Sequence, residues 1–252
     1  MKIVGVALVR NEEIYIGRVL RAALHLCDDI LVLDNGSVDG TRDEVRRVIA
    51  EHPGRVVAVE LHNLVDSHLF LQQYVGTDTW VFGVDGDEIY DPAGLSELRE
   101  VLLGGAYADK WMVRAKFLHV SRLQGGRAYG YMSPPSHDPS KLYNFSLLEA
   151  WPADDVRPLF LPRAGMRFKA GGESYYENWE TCYCLATWGE SIFRCLHMKF
   201  LQRSRIDAHR NPEPRPNPID ATYMPDRIRP WDNYQRGPEV SVSVAEFTGM
   251  AS

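Results

Sequence analysis

Apolar residues recur along the first hundred positions in short blocks, and the blocks switch between two periods. Residues 3–9 are a nearly unbroken β-branched run, the pattern of a strand buried on both faces. Ile14, Ile16, Val19, Leu20, Ala23 and Leu24 then recur at helical spacing, with Arg18 and Arg21 outside. Residues 29–33 (DILVL) read as a second strand, stopped by Asp34-Asn35-Gly36-Ser37. Residues 39–51 read as a helix, carboxylates early and Arg46 and Arg47 later, as the helix dipole prefers. His52-Pro53-Gly54 ends it. A third strand follows at 55–61, a helix at 65–76, a fourth strand at 79–84 (TWVFGV), and a helix at 95–103.

This βαβαβαβα order predicts an α/β fold, a Rossmann-like, mostly parallel sheet with helices on both faces. Ligands of such sheets bind beyond the carboxyl ends of the strands. Three of the four strands end in Arg10-Asn11-Glu12, Asp34-Asn35 and Asp85-Gly86-Asp87, which should therefore converge on one crevice.

After Asp109 the pattern changes. Residues 110–120 alternate with a period near two, Gly125-Gly126 follows, and 129–138 reads as a Gly/Pro/Ser-rich loop. Short strands are expected at 141–145, 158–161 and 166–169, and an aromatic-rich helix at 173–188. Seven of the 15 prolines lie between Pro212 and Pro238, which predicts an ordered wrap or lid without regular structure, or a partly mobile tail. The division expected is a nucleotide-binding half at 1–108, a smaller acceptor and catalytic subdomain at 109–210, and a Pro-rich tail at 211–252.

Composition narrows the class. The 252 residues are 45% apolar and 25% charged, which excludes collagen-like, coiled-coil and mostly disordered chains. No run approaches the ~18–20 apolar residues of a membrane span, and the opening apolar stretch meets charge without a cleavage site. Four Cys in a chain this long do not make a disulfide framework, so a cytoplasmic location is expected. Charge is uneven: residues 1–108 carry 9 Lys/Arg against 18 Asp/Glu, and the remainder 19 against 16. An acidic front half suits a cation site and a mildly basic back half an anionic ligand, although solvated surface produces the same bias.

Asp85-Gly86-Asp87 sets two carboxylates one residue apart just past a buried strand, within reach of one Mg²⁺ or Mn²⁺ that keeps substrate phosphate oxygens in its shell. Gly86 lets backbone approach the ligand closely. An acidic turn after a strand is the plainer reading. In the second group, Asp34 can accept from a base or ribose hydroxyl, while Asp39 stands where a helix begins and is equally a cap.

Taken together, VGVALVRNEE–IGRVLRAAL, ILVLDNGSVDGT and WVFGVDGDEIY resemble the family 2 glycosyltransferases of the GT-A fold, over roughly the first 105 residues. The resemblance implies a nucleoside-diphosphate sugar, UDP-sugar by default, lying across the strand ends. It implies transfer to a hydroxyl acceptor with inversion, assisted by Mn²⁺ or Mg²⁺. Arg10, Asn11 and Glu12 would contact the base, with Asn35 and Asp39 beside them. Asp34 would read base or ribose, Asp85 would lie nearer the ribose, and Asp87 would be the more direct metal ligand.

In the back half the resemblance is thinner. Residues 157–168 look like the strand pair before the acceptor helix, and Gly171-Gly172-Glu173 follows where many relatives show an acidic pair. Glu173 is taken as the catalytic base, with Glu177 and Glu180 as alternatives. His197 resembles the late His that completes the metal shell in many GT-A enzymes, with Lys199, Arg203 and Arg205 placed to meet a diphosphate. A His in an apolar strand is more often a core residue.

Several rival readings stand beside these. Cys182, Cys184, Cys195 and His197 could hold zinc, though the spacing is unusual. Tyr175, Tyr176, Trp179, Tyr183 and Trp188 are either an acceptor platform or core. His62, His68 and His119 have no partner that spacing identifies. At the level of function, the alternatives are a nucleotidyltransferase making a sugar nucleotide and a non-catalytic sugar or nucleic-acid binding module. The acceptor itself, whether glycan, small molecule or polymer including modified nucleic acid, is not specified.

Overall fold

A computed structural model describes residues 1–132, 140–151, 166–170, 186–206 and 238–248. In chain order its first elements are β1 (Lys2–Val9), α1 (Ile16–Ala23), β2 (Asp29–Asp34), α2 (Thr41–Glu51), β3 (Val56–Glu60), a 3-10 helix (Leu64–Tyr74), β4 (Thr79–Asp85), β5 (Glu88–Tyr90) and α3 (Pro92–Leu103). Then come β6 (Met112–Arg114), β7 (Lys116–Gln124), β8 (Arg127–Met132), β9 (Ser140–Asn144), β10 (Leu148–Ala150), β11 (Arg167–Phe168), β12 (Arg194–His197), β13 (Val240–Ser243) and α4 (Ala245–Thr248).

The first sheet has the order β3-β2-β1-β4-β9-β6. Its first four strands are parallel, and β9 enters antiparallel beside β4. β1 explains the layering: Ile3, Ala7 and Val9 face one core, Val4 and Val6 the other. The three helices α1, α2 and α3 fill the first core with Ile16, Val19, Leu20, Val45, Val48, Leu95 and Leu98. The opposite face is covered by Leu71 of the 3-10 helix and by Trp111, Phe145 and Trp151. Helical cover therefore lies on both faces, α on one and 3-10 on the other.

That 3-10 helix replaces the helix expected at 65–76. His68 and Leu71 are buried and Tyr74 is half-buried, a repeat of three that matches the 3-10 turn rather than the α turn. α3 starts earlier than apolar spacing indicates, because Asp91 caps it, accepting from the Ala93 N–H at 3.0 Å, with Pro92 in the first turn.

The second sheet has the order β13-β8-β7-β12-β5. Residues 129–132, expected as loop, belong to β8: Gly130 lies where a Cβ would come 2.0 Å from the His119 carbonyl oxygen, so it permits close pairing rather than breaking the strand. The tail is also partly regular. Val240, Val242 and Val244 alternate with serines, and β13 pairs antiparallel with β8. The expectations at 158–161, at 173–185 and over most of the proline-rich tail lie outside the described residues.

The two sheets are continuous. β4 passes into β5 through Gly86-Asp87, and β6 into β7 through Ala115. Phe82 of the first sheet packs edge-on against Tyr90 of the second at 5.0 Å, and Tyr90 stacks on Phe193 at 5.5 Å. One core thus serves both.

Candidate active site

The acidic turn lies at this seam. A Cβ on Gly86 would come 2.5 Å from Glu12 Cγ, so glycine is what lets the turn close on the tip of β1. Asn11 there has φ 58°, a left-handed conformation that Asn tolerates. This turns its side chain onto the next loop. Asn11 Oδ1 accepts from the Val38 N–H at 2.9 Å, and the Asn11 N–H donates to Ser37 Oγ at 3.0 Å. The Glu12 N–H donates to Thr41 Oγ1 at 2.7 Å. The three strand tips do converge: backbone–side-chain hydrogen bonds tie the first to the second, and the third closes on the first where Gly86 meets Glu12.

Within that junction the expected residues take distinct places. Arg10 is exposed and Asn35 half-buried. Asn11 and Glu12 are each 7% exposed and engaged by neighbouring loops, which makes them framework as much as lining. Asp39 precedes α2, which begins at Thr41 rather than at 39. Asp39 Oδ1 accepts from both the Thr41 N–H and hydroxyl, at 2.9 and 2.5 Å. Asp34 accepts the Ser37 N–H on Oδ1 and meets Arg42 Nε on Oδ2 at 2.5 Å, and Arg42 reaches on to Glu60. Asp34, Arg42 and Glu60 line a pocket of about 150 Å³ between α2 and strands β2 and β3.

Asp87 is almost fully buried. Its Oδ2 lies 3.4 Å from His197 Nε2 and 3.1 Å from Arg203 Nη1, and the same Nη1 is 3.1 Å from Glu12 Oε1. Burial pushes the Asp87 carboxyl up, but His197, Arg203 and Lys141 outweigh it and hold the group well below the usual carboxylate range. The local ladder explains the meeting of Asp87 with His197: β12 pairs antiparallel with β5, His197 opposite Glu88, and the Met198 N–H donates to the Asp87 carbonyl at 2.8 Å. Lys199, two residues on, is half-buried. The segment after it is tied back to the first strand tip, Ile14 N–H to the Arg203 carbonyl and Arg205 N–H to Glu13 Oε1.

Three participants were not identified from the sequence. Lys141 of β9, 9% exposed at its side chain, bridges Asp85 Oδ2 at 2.6 Å and Glu88 Oε1 at 2.7 Å. The Tyr90 hydroxyl donates to the other Glu88 oxygen at 2.9 Å. Burial opposes the Lys141 charge, but the two carboxylates more than compensate and raise its pKa. Burial also lifts Glu88 well above the usual carboxylate range, with Lys141 opposing. Asp85 itself is lowered, because Lys141 outweighs burial there. The available signal was a lysine placed directly before Leu142-Tyr143 in a short strand. The third participant is His119, whose Nδ1 lies 3.1 Å from His197 Nδ1. Burial first, then His197 and Lys199, push its imidazole well below the ordinary value, so it is neutral at pH 7.

Glu173, Glu177 and Glu180 lie outside the described residues, as do Tyr175, Tyr176, Trp179, Tyr183, Cys182 and Cys184. Cys195 faces the core, fully buried, and burial raises its thiol well above the ordinary value. Trp188 stacks on Phe247 at 5.8 Å, which is the core role rather than a platform. Among the described residues, no three His, Cys, Asp or Glu side chains cluster at metal-ligating spacing. Nor is any helix among them long and apolar enough to cross a membrane.

Comparison with known proteins gives this junction its context. The lipopolysaccharide core biosynthesis glycosyltransferase LpsC of Rhizobium meliloti (strain 1021) is 31% identical over 104 residues, 41% of this chain. The chain spans 38% of that relative's length. Among solved structures, S. aureus TarS matches with a TM-score of 0.41 and 16% identity, over 58% of this chain and 29% of that one. Glucosyl-3-phosphoglycerate synthase from Mycobacterium tuberculosis, solved with Mn²⁺, UDP and glucosyl-3-phosphoglycerate, matches with a TM-score of 0.33 and 25% identity, over 46% and 44%. The family model described as glycosyl transferase family 2 matches residues 6–139, which spans the strand tips, the acidic turn and His119. With more than half of its length in that match and a mixed sheet of order β3-β2-β1-β4-β9-β6, the chain belongs to glycosyl transferase family 2 and has a sheet of the GT-A type.

Proposed function

We propose that this glycosyltransferase moves a sugar from a nucleoside-diphosphate sugar, UDP-sugar by default, to a hydroxyl acceptor, with a divalent cation and inversion at the anomeric carbon. The observation that carries the reading is the meeting of Asp87 with His197 and Arg203 beside Glu12 at the strand tips. A carboxylate and an imidazole suit Mn²⁺, and Mg²⁺ accepts the carboxylate readily. Two donors at right angles on such an ion stand about 3 Å apart, close to the 3.4 Å between Asp87 Oδ2 and His197 Nε2. These residues fit the ion, and Asp87 and His197 would hold it. When bound, it neutralises charge developing on the leaving diphosphate.

The chain's own groups do the remaining work. Asp85 is held by Lys141 yet 58% exposed at its side chain, which suits a contact with the donor ribose. Asp34 with Arg42 beside the α2 pocket suits the base. Lys199 and Arg203 supply positive charge for the diphosphate. Glu173, assigned from the resemblance, takes the acceptor proton as the new carbon–oxygen bond forms and the bond to the diphosphate breaks.

A thermal-shift screen of nucleoside diphosphates and their sugars, with and without Mn²⁺, tests the reading. Stabilisation by one nucleotide, larger with the metal and absent in Asp87→Ala, is expected. Equal stabilisation in Asp87→Ala would move the metal elsewhere. The released product separates the alternatives: nucleoside diphosphate for sugar transfer, pyrophosphate for nucleotidyl transfer.

A further inference from the structure

We infer that His119 is a positioning residue for the metal site, acting through His197. The inference rests on the proposed role of His197 as a metal ligand.

Three strands place the residues in line. His197 on β12 is opposite Glu88 on β5 to one side and opposite His119 on β7 to the other. The two nitrogens of the His197 ring then face different partners. Nε2 points to Asp87 Oδ2, and Nδ1 to His119 Nδ1, 3.1 Å away. Two ring nitrogens at that distance share one hydrogen, so one ring donates and the other accepts. A nitrogen that ligates a cation carries no hydrogen. With Nε2 toward the cation, the His197 hydrogen sits on Nδ1 and is donated to His119. His119 therefore accepts on Nδ1 and carries its own hydrogen on Nε2. This fixes both the tautomer and the ring orientation of the ligand, the work that an outer partner performs for a metal-bound histidine. The partner is itself held: His119 is 3% exposed, packed between the Phe117 and Phe200 rings at 6.2 and 6.5 Å. On β8, Tyr131 is opposite His119, and the neighbouring Gly130, without a Cβ, leaves space for the His119 carbonyl oxygen.

Two variants and one spectrum test it. His119→Phe fills the space and removes the acceptor, whereas His119→Asn keeps an acceptor near the Nδ1 position. Mn²⁺ binding is measured by electron paramagnetic resonance of the free ion in the presence of UDP, with thermal melts confirming the fold. His119→Phe is expected to weaken Mn²⁺ binding about 10–100-fold, and His119→Asn to restore most of the loss. Retention of normal Mn²⁺ affinity by His119→Phe, while His197→Ala has lost it, overturns the inference alone. Retention by His197→Ala overturns the metal role of His197 and the inference with it. Should His119→Phe not fold, ¹⁵N NMR of the wild-type enzyme with Mg²⁺ and UDP decides. A bare Nδ1 on His119 is expected, and a protonated one refutes the inference.

Discussion

Single side chains at the seam carry consequences out of proportion to their size. Lys141 is the clearest, because its ammonium is the buried cation facing both Asp85 and Glu88. Lys141→Met is expected to cost about 3–5 kcal/mol, the usual penalty for removing one partner of a buried pair. Adding Glu88→Gln should recover part of it, and urea unfolding of the three variants checks both statements. Gly86→Ala acts differently. Its methyl would meet Glu12 at 2.5 Å, so the turn or the β1 tip must move. A stability cost of about 1–3 kcal/mol is expected, with kcat/KM falling by about 100-fold because the acidic turn is displaced. Fluorescence melts and nucleoside diphosphate release measure the two effects separately. The Asp-x-Asp pair and its glycine were legible because their chemistry is local in sequence. Lys141 and His119 were not, since each matters only through a residue more than fifty positions away, and no periodicity encodes that distance.

At the scale of elements, the strands β1 to β4 were legible to within about two residues: burial on both faces gives β1, β2 and β4 near-continuous apolar runs, and the exposed edge strand β3 still reads as a short β-branched run. The 3-10 helix was not, because a period of three over few residues resembles an α pattern. Asp28 shows how the elements are held together. Its carboxylate accepts from the Ile3 N–H at 2.8 Å at the start of β1, and Arg99 of α3 donates to it at 2.5 Å. Burial raises the Asp28 carboxyl, but these donors outweigh it and the net shift is downward. A carboxyl lowered on folding contributes stability above its unfolded pKa, near 4, and that stability is lost as pH falls through the lower folded value. Asp28→Asn is therefore expected to flatten the acid side of the stability–pH curve while leaving its slope above pH 6 unchanged. Urea midpoints between pH 2 and 7 check it.

At the scale of the whole molecule, two sheets share one core through Phe82, Tyr90, Phe117 and Phe193. The mixed second sheet was the part least legible in the sequence, because its five strands come from four separated stretches of the chain. A common core implies common unfolding. Phe193→Ala is expected to cost about 3–5 kcal/mol while far-UV circular dichroism and tryptophan fluorescence still report one coincident transition. Two separated transitions would show that the sheets unfold independently.

The ladder between β5 and β12 is only three pairs long, Cys195 to Tyr90, Leu196 to Ile89 and His197 to Glu88. The site consequently has a reading frame. A slip of one place would bring Leu196 or Met198 to the spot now held by the imidazole, and would turn every side chain of β12 to the other face. An insertion or deletion just upstream of β12 would thus disable the proposed site without altering one of its residues.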